Sequence, residues 1–318
     1  MQEPPFCIQV ELTQGCNLRC KFCAVTYAYK PHDYKFMSTA TADVLFHKLG
    51  LSGWNPRLEF AMHGEPLLNP DWNNIVFTAR KYNPKLSIML CTNGTIIADC
   101  GLGVIADKFF RSGGNILAVD MYSNKYSDKI RENIESECLE LEYDIRYYPA
   151  DMKSSPHHRA NNKQYIVLID DIEKSTKGTH AEISNHGGIA SERVYTADNK
   201  PCVKPFREMG ICYNGAVNLC CNDFCGQCYI GNILDTVTLE DLWNNPIMDA
   251  YRRMLMTHGH KLLPCHGCDY CGKRLGLLPD KYGKQTLPPF SADDEKLIMG
   301  NLRKVETPCE FVNKRFKD

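Results

Sequence analysis

Three cysteines near the amino terminus, Cys16, Cys20 and Cys23, have a spacing suited to binding a metal or a cluster. Separations of three and then two residues allow one loop to direct three sulfurs to one point, and Gly15 and Asn17 favour such a loop. A structural zinc takes four protein ligands, whereas thiolates are the usual ligands of iron–sulfur clusters. The pattern favours a four-iron cluster with one iron free of protein ligands. A reactive cysteine cluster or a zinc loop is the alternative.

The chain contains 17 cysteines, and ten of them lie between residues 202 and 309. We expect a cytoplasmic protein, because residues 1–5 do not resemble a signal peptide and no apolar run approaches the roughly 20 residues of a membrane-spanning helix. A reducing cytosol keeps thiols free, so metal or cluster ligation explains the cysteines better than a disulfide framework. The net charge of −1 shows no basic excess of the kind that indicates nonspecific nucleic-acid binding.

Apolar segments with the length of strands alternate with helical segments in the first half of the chain. The predicted strands are residues 6–12, 57–62, 86–91, 115–121, 142–147 and 165–169. This alternation predicts an α/β fold with a parallel sheet closed or partly closed into a barrel, in which ligands bind at the carboxyl ends of the strands. The groups at the carboxyl ends of these strands are the cysteine loop, Glu65, Asn93, Asp120, Tyr122 and Ser123.

The cysteine spacing, with Phe22 directly before the last cysteine, resembles the signature of the radical S-adenosylmethionine (radical SAM) enzymes. A turn after the second strand, His63-Gly64-Glu65-Pro66, resembles the Gly-Gly-Glu motif of that family, with His63 replacing the first glycine. The resemblance implies a partial (β/α)6 barrel and a [4Fe–4S] cluster that binds SAM. It also implies reductive cleavage of SAM to a 5'-deoxyadenosyl radical that abstracts a substrate hydrogen.

The same resemblance implies where SAM binds. Glu65, with Gly64 beside it, is predicted to bind the amino group of SAM, and Phe22 its adenine. Further predicted SAM-binding residues are Asn93, Ser123 and His186. For His186, which stands beside two glycines, a solvated loop position is the alternative.

Asp120 and Tyr122 are the predicted catalytic residues, because a carboxylate and a phenol at a strand end can transfer a proton or a hydrogen atom. The alternative is that both bind SAM or line the site. Cys212 and Cys271 are alternative hydrogen donors if neither is a cluster ligand.

Residues 202–271 resemble the SPASM extension of radical SAM enzymes, or its shorter twitch form. The matching features include a Gly-x4-Cys hairpin, a Leu-Trp helix and a late Cys-x2-Cys pair. The resemblance implies at least one auxiliary [4Fe–4S] cluster, with the predicted ligands Cys202, Cys220, Cys265 and Cys268. A second auxiliary cluster is an alternative. A zinc ribbon that includes Cys225 and Cys228 is another, and it would make this part a binding module.

The predicted domains are residues 1–200 for the radical SAM core, 201–275 for the SPASM/twitch extension and 276–318 for a C-terminal tail. The leading interpretation is an enzyme of the oxidoreductase or isomerase class that oxidises or rearranges a small molecule or a modified side chain, with the auxiliary cluster assisting. One alternative substrate is an amino-acid-decorated nucleic-acid base, as in phage-type DNA hypermodification. Another is a peptide, modified by a maturase or epimerase. The expected partner is a reductant such as flavodoxin or ferredoxin, and no membrane is expected.

Overall fold

The computed structural model describes residues 3–122, 124–148, 163–169, 186–187, 189–190, 201–270 and 288–303. The strands are β1 (Cys7–Val10), β2 (Thr13–Gln14), β3 (Lys35–Phe36), β4 (Arg57–Phe60), β5 (Ser87–Thr92), β6 (Ile116–Asp120), β7 (Ile145–Tyr148), β8 (Tyr165–Ile169), β9 (Glu208–Ile211), β10 (Ala216–Asn218) and β11 (Tyr229–Asn232). The helices are α1 (Val25–Ala28), α2 (Thr39–Ser52), α3 (Trp72–Tyr82), α4 (Thr95–Cys100), α5 (Leu102–Arg111), α6 (Asn124–Ser136), α7 (Leu239–Trp243), α8 (Pro246–Thr257) and α9 (Ala292–Asn301). Three short 3-10 turns are Pro66–Leu68, Leu139–Leu141 and Lys204–Phe206. Within these residues, no helix is long and apolar enough to cross a membrane.

The six predicted strands form one parallel sheet, which confirms the α/β class. The described sheet has the order β11-β10-β9-β1-β4-β5-β6-β8-β7. β8 lies between β6 and β7, so the last two strands of the core stand in the sheet in the reverse of their chain order. β1 pairs with β4 on one side and with β9 on the other, so the sheet continues into the cysteine-rich part.

The predicted division after residue 200 therefore falls between two parts that share one sheet. β9 runs parallel to β1, and the antiparallel strands β10 and β11 extend the sheet beyond it. The tail residues that the structure describes also pack onto this part. Arg253 of α8 contacts Asp294 of α9 through two hydrogen bonds, of 3.1 Å and 2.5 Å.

At β1 and β4 the sheet has one apolar and one polar face, because side chains alternate along each strand. At β5, β6 and β8 both faces are apolar. On β1 and just after it, Ile8, Val10 and Leu12 belong to the main hydrophobic core, which α2, α3 and α5 cover. The other face carries Gln9 and Glu11. Gln9 donates a 3.0 Å hydrogen bond to Glu59 of β4. This polar face leads to the carboxyl ends of the strands, where the candidate site lies.

Candidate active site and cofactor sites

The cysteine loop lies between β2 and α1, and the side chain of Asn93 holds it against the end of β5. Asn93 Nδ2 lies 3.3 Å from Cys16 Sγ and 2.9 Å from Asn17 Oδ1. Asn17 in turn donates to Thr95 Oγ1 at 2.7 Å. Cys16, Cys20 and Cys23 are all half-buried and line one cavity of about 160 Å³. The structure therefore brings the three predicted cluster ligands to one site.

Cys16 and Cys23 of this loop need a bound cation to be deprotonated. Burial raises the pKa of Cys16 to about 11 and also raises the pKa of Cys23. Metal and cluster ligation requires the deprotonated sulfur, and the positive charge of the bound group supplies the compensation. Three thiols at the edge of an open cavity fit a cluster with one exposed iron.

Gly64 is required by the backbone of the cysteine loop. A Cβ atom at this position would lie 2.2 Å from Thr13 O and 2.3 Å from Gly15 O. The two segments form a short parallel bridge, in which Gly15 N donates to His63 O at 2.9 Å and Glu65 N donates to Gly15 O at 3.1 Å. From the sequence, Gly64 was predicted to belong to the SAM-binding turn beside Glu65. In the structure Gly64 lines the cavity, but its close contact is with protein.

The Glu65 carboxylate is buried at the wall of the same cavity. Oε1 accepts hydrogen bonds from Leu67 N at 3.0 Å and Thr92 Oγ1 at 2.7 Å, and Oε2 accepts one from Asn93 N at 2.8 Å. Burial nevertheless raises the pKa of Glu65 to about 7. Two carboxylate oxygens offer about four acceptor positions, so a ligand ammonium group can still be bound.

Asp120 and Tyr122 line the same cavity and contact each other. Tyr122 Oη donates a 3.0 Å hydrogen bond to Asp120 Oδ2. Burial raises the pKa of Asp120 to about 6, and the hydrogen bond from Tyr122 opposes that shift. The Tyr122 ring packs against Phe22 with a centroid distance of 5.5 Å. The predicted catalytic pair and the predicted adenine contact therefore share one wall of the cavity.

Cys202, Cys220, Cys265 and Cys268 line a second, small cavity. Backbone amides donate to two of the sulfurs: Asn222 N to Cys220 Sγ at 3.4 Å and Tyr270 N to Cys268 Sγ at 3.5 Å. These N–H donors stabilise thiolates, as is expected of cluster ligands. The four predicted auxiliary ligands are thus brought together from three separate parts of the chain.

The spacing of these four sulfurs can be compared with that of zinc ligands. A tetrahedral zinc with Zn–S bonds of about 2.3 Å places its sulfurs about 3.8 Å apart. Within the described ranges, only Glu11, His63 and Cys212 bring three ligand atoms within 4.8 Å of one another. Among the described residues, no three of the four sulfurs meet this limit.

Comparison with known protein families agrees with both sites. The model of the radical SAM superfamily matches residues 10–137, and the model of the SPASM iron–sulfur cluster-binding domain matches residues 202–269. The chain belongs to the radical SAM superfamily. It is a radical SAM enzyme with a C-terminal SPASM domain, and its cofactors are SAM and [4Fe–4S] clusters.

One curated relative and two solved structures are similar over most of their length. The S-adenosyl-L-methionine-dependent 2-deoxy-scyllo-inosamine dehydrogenase of Niallia circulans is 22% identical over 266 residues, which are 82% of this chain and 92% of that protein. The crystal structure of BtrN in complex with AdoMet and 2-DOIA has a TM-score of 0.64 and 23% identity, covering 85% of this chain and 95% of that one. An open conformation of BtrN gives a TM-score of 0.58 at 20% identity, with 85% and 94% covered. These structures support the fold.

The other predicted SAM-binding residues of this radical SAM enzyme differ in their surroundings. Asn93 lines the cavity, but its side chain binds the cysteine loop. His186 Nδ1 accepts a 3.2 Å hydrogen bond from Ala24 N, and its ring stacks on Phe224 at 5.4 Å. Burial lowers the pKa of His186 to about 4, so the ring is neutral at pH 7. The structure thus places His186 behind the cysteine loop, and Ser123 lies outside the described residues.

The remaining cysteines of the SPASM domain that the structure describes have separate surroundings. Cys221 Sγ accepts a 2.9 Å hydrogen bond from the buried Lys204. Cys212 lies beside Glu11 and His63, and Cys225 packs in a small apolar cluster with Tyr29. Cys228 is buried in the main core. Cys271 and Cys309 lie outside the described residues, so a second auxiliary cluster stays a prediction.

Met62 lies between the two cofactor sites, and no sequence pattern indicated this position. Met62 lines the SAM cavity, and Cys220 lines the auxiliary cavity. A Cβ atom at Gly210 would lie 3.2 Å from Met62 Cε and 3.7 Å from the carbonyl carbon of Cys220. Because Gly210 has no side chain, Met62 and Cys220 can both lie close to the backbone of β9. Met62 has a φ of 89°, a left-handed conformation that the residue type alone does not predict.

Proposed function

We propose that this radical SAM enzyme dehydrogenates a small polar molecule, removing a hydrogen atom from a carbon that bears a hydroxyl or amino group. The observation that supports this proposal is the proximity of the SAM cavity to the auxiliary cavity across Met62 and Gly210. Dehydrogenation needs an acceptor for the electron of the substrate radical, and rearrangement does not. A cluster at the four-cysteine site would supply that acceptor.

The two cofactor sites would hold the groups that supply the redox chemistry. When bound, SAM and its cluster supply the 5'-deoxyadenosyl radical, and the auxiliary cluster accepts one electron. Cys16, Cys20 and Cys23 would hold the first cluster, and Glu65 would bind the ammonium group of SAM. Phe22, which lines the same cavity, would contact the adenine.

Asp120 is the proposed base of the reaction. Oxidation of an alcohol carbon to a carbonyl releases the hydroxyl proton together with one electron, after the carbon-bound hydrogen has been removed. Asp120 has a pKa of about 6 and lines the cavity with Tyr122. A carboxylate with a pKa near the working pH is suited to accept that proton. Tyr122 orients the carboxylate through its 3.0 Å hydrogen bond.

The similar proteins support a small substrate. The relative from Niallia circulans is named for the dehydrogenation of 2-deoxy-scyllo-inosamine, and the matched BtrN structure contains 2-DOIA. The decorated nucleic-acid base and the peptide gain no comparable support. The electron donor, flavodoxin or ferredoxin, and the cytoplasmic location stay predictions, as do the three domain ranges.

The proposal can be tested with anaerobically reconstituted enzyme, dithionite and SAM. Amino and polyhydroxy cyclitols, beginning with 2-deoxy-scyllo-inosamine, should be supplied with deuterium at each carbinol carbon. We expect a product that has lost one deuterium and one hydrogen atom, and we expect that deuterium in 5'-deoxyadenosine. A product of unchanged mass would identify an isomerase and overturn the proposal. Deuterium transfer without a lighter product would do the same.

A further inference from the structure

A third cavity, of about 470 Å³, lies next to the turn formed by residues 63–66 and has no part in the proposed reaction. His63 and Cys212 line its inner wall, together with Tyr213 from the turn between β9 and β10. Lys30, Lys35 and Arg303 are exposed around it. The cavity thus connects solvent with two side chains that commonly bind metals.

His63, Cys212 and Glu11 form a compact group of three different donors. One carboxylate oxygen of Glu11, one ring nitrogen of His63 and Cys212 Sγ all lie within 4.8 Å of one another, and Glu11 Oε1 and His63 Nδ1 are 2.9 Å apart. The exposed fractions are 0% for Glu11, 1% for His63 and 7% for Cys212. A tetrahedral ion with bonds of about 2.0–2.3 Å needs donor atoms about 3–4 Å apart, a range that lies between these two distances.

Hydrogen bonds orient two of the three donors. His63 Nε2 lies 2.9 Å from Cys221 O, so this nitrogen carries a proton and donates it. Tyr213 N donates to Glu11 Oε2 at 2.9 Å. In protein metal sites the second nitrogen of a ligating histidine usually donates to a carbonyl or carboxylate, and ligating carboxylates are themselves hydrogen-bonded. These contacts do not involve His63 Nδ1 or Glu11 Oε1, which lie 2.9 Å apart in the same group as Cys212.

We propose that Glu11, His63 and Cys212 bind a zinc-class divalent ion, separate from both clusters. One oxygen, one nitrogen and one sulfur suit zinc better than magnesium or calcium, which prefer oxygen ligands. Three protein ligands leave a fourth position for water or an anionic oxygen donor from the cavity. Binding displaces the Cys212 thiol proton and the Nδ1 proton of His63 to solvent. The alternative is an ion pair between Glu11 and His63 alone, in which the Cys212 sulfur takes no part.

X-ray absorption at the zinc edge tests this site in the holoenzyme, because the measurement does not detect iron. The protein should be produced with zinc supplied, reconstituted to about eight iron atoms per chain and passed over a desalting column. We expect about one zinc per chain, with one sulfur at about 2.3 Å and nitrogen or oxygen ligands at about 2.0–2.1 Å. A shell of four sulfurs would place zinc at the auxiliary cysteines and overturn the proposal. Absence of zinc from fully loaded enzyme would also overturn it.

Two single substitutions and one matched control extend the test. Cys212→Ser should remove the sulfur from the zinc shell. Glu11→Gln should reduce zinc affinity by at least about 10- to 100-fold, which is the cost of losing a residue that only hydrogen-bonds to a ligand. Cys225→Ser changes another cysteine of the same cavity and should leave zinc content and shell unchanged. Iron content shows whether each variant folds around its clusters. A one-sulfur shell that persists in Cys212→Ser would assign the zinc elsewhere.

Discussion

Asn93 Nδ2 lies 3.3 Å from Cys16 Sγ and joins the end of β5 to the first cysteine of the cluster loop. The same amide nitrogen lies 2.9 Å from Asn17 Oδ1. An N–H donor to a cluster sulfur stabilises the reduced state, since that state carries more negative charge. Asn93 therefore affects both the position of the loop and the potential of the cluster.

Asn93→Ala should weaken retention of the SAM cluster and lower its midpoint potential. Loss of such an outer hydrogen bond costs about 10- to 100-fold in affinity or activity. Iron content after desalting and an anaerobic redox titration followed by electron paramagnetic resonance would measure both effects. Asn73→Ala, at an exposed amide of α3, is the matched control. An unchanged potential in Asn93→Ala would contradict the assigned hydrogen bond.

Substitution of the two cysteine sets should separate SAM cleavage from substrate oxidation. Replacing Cys16, Cys20 and Cys23 together by alanine should abolish 5'-deoxyadenosine. Replacing Cys265 and Cys268 should preserve it and abolish the oxidised product, because the electron then has no acceptor. Cys100→Ala, at an exposed cysteine, should change neither. 5'-Deoxyadenosine from the triple variant would refute the assignment of the first site.

Local spacing and strand ends were sufficient to predict most of the site. The cluster cysteines lie within eight residues, and Glu65, Asn93 and Asp120 each lie at or just after the end of a buried strand. Short-range patterns in the sequence therefore identified them. The pairing of β1 with β9 joins residues about 200 positions apart, and no local pattern predicts such a register. For this reason Met62 and the group Glu11, His63 and Cys212 were found only in the structure.

Gly64→Ala should prevent correct docking of the cysteine loop. The added Cβ would meet Thr13 O and Gly15 O at 2.2 Å and 2.3 Å, so one of the two segments must move. Overpacking of this kind costs about 1–3 kcal/mol or more, and the loop should lose iron. Thermal unfolding and iron content measure these losses. Gly300→Ala, where a Cβ meets nothing within 4 Å, should retain stability and iron. Wild-type iron content in Gly64→Ala would disprove the proposed steric role.

Substrate oxidation should fall as the pH decreases through about 6, because Asp120 must be a carboxylate to accept the proton. Asp120→Asn should lower kcat about 10²- to 10⁴-fold and remove this acidic limb. The hydrogen bond from Tyr122 lowers the pKa of Asp120, so Tyr122→Phe should move the limb to higher pH. The ring contact with Phe22 is kept in that variant. A pH profile of Tyr122→Phe identical to the wild type would exclude Asp120 as the titrating base.

SAM binding should strengthen as the pH rises through about 7, because burial raises the pKa of Glu65 to that value. Below that pH the side chain is neutral and attracts the ammonium group of SAM less. Glu65→Gln keeps the size and the acceptor oxygen but removes the charge. Loss of a charge-assisted hydrogen bond costs about 1.5–3 kcal/mol, roughly 10- to 150-fold in affinity.

Equilibrium binding of SAM to the reconstituted enzyme at several pH values would separate these effects. Glu65→Gln should bind SAM weakly and with little pH dependence between pH values below and above that pKa, while iron content shows that the cluster is retained. Asp120→Asn serves as the control, because the Asp120 carboxylate makes only a minor contribution to the raised pKa of Glu65. That variant should keep the pH dependence, with its midpoint moved to lower pH. Equal SAM affinity of Glu65→Gln and the wild type at high pH would show that another group binds the ammonium.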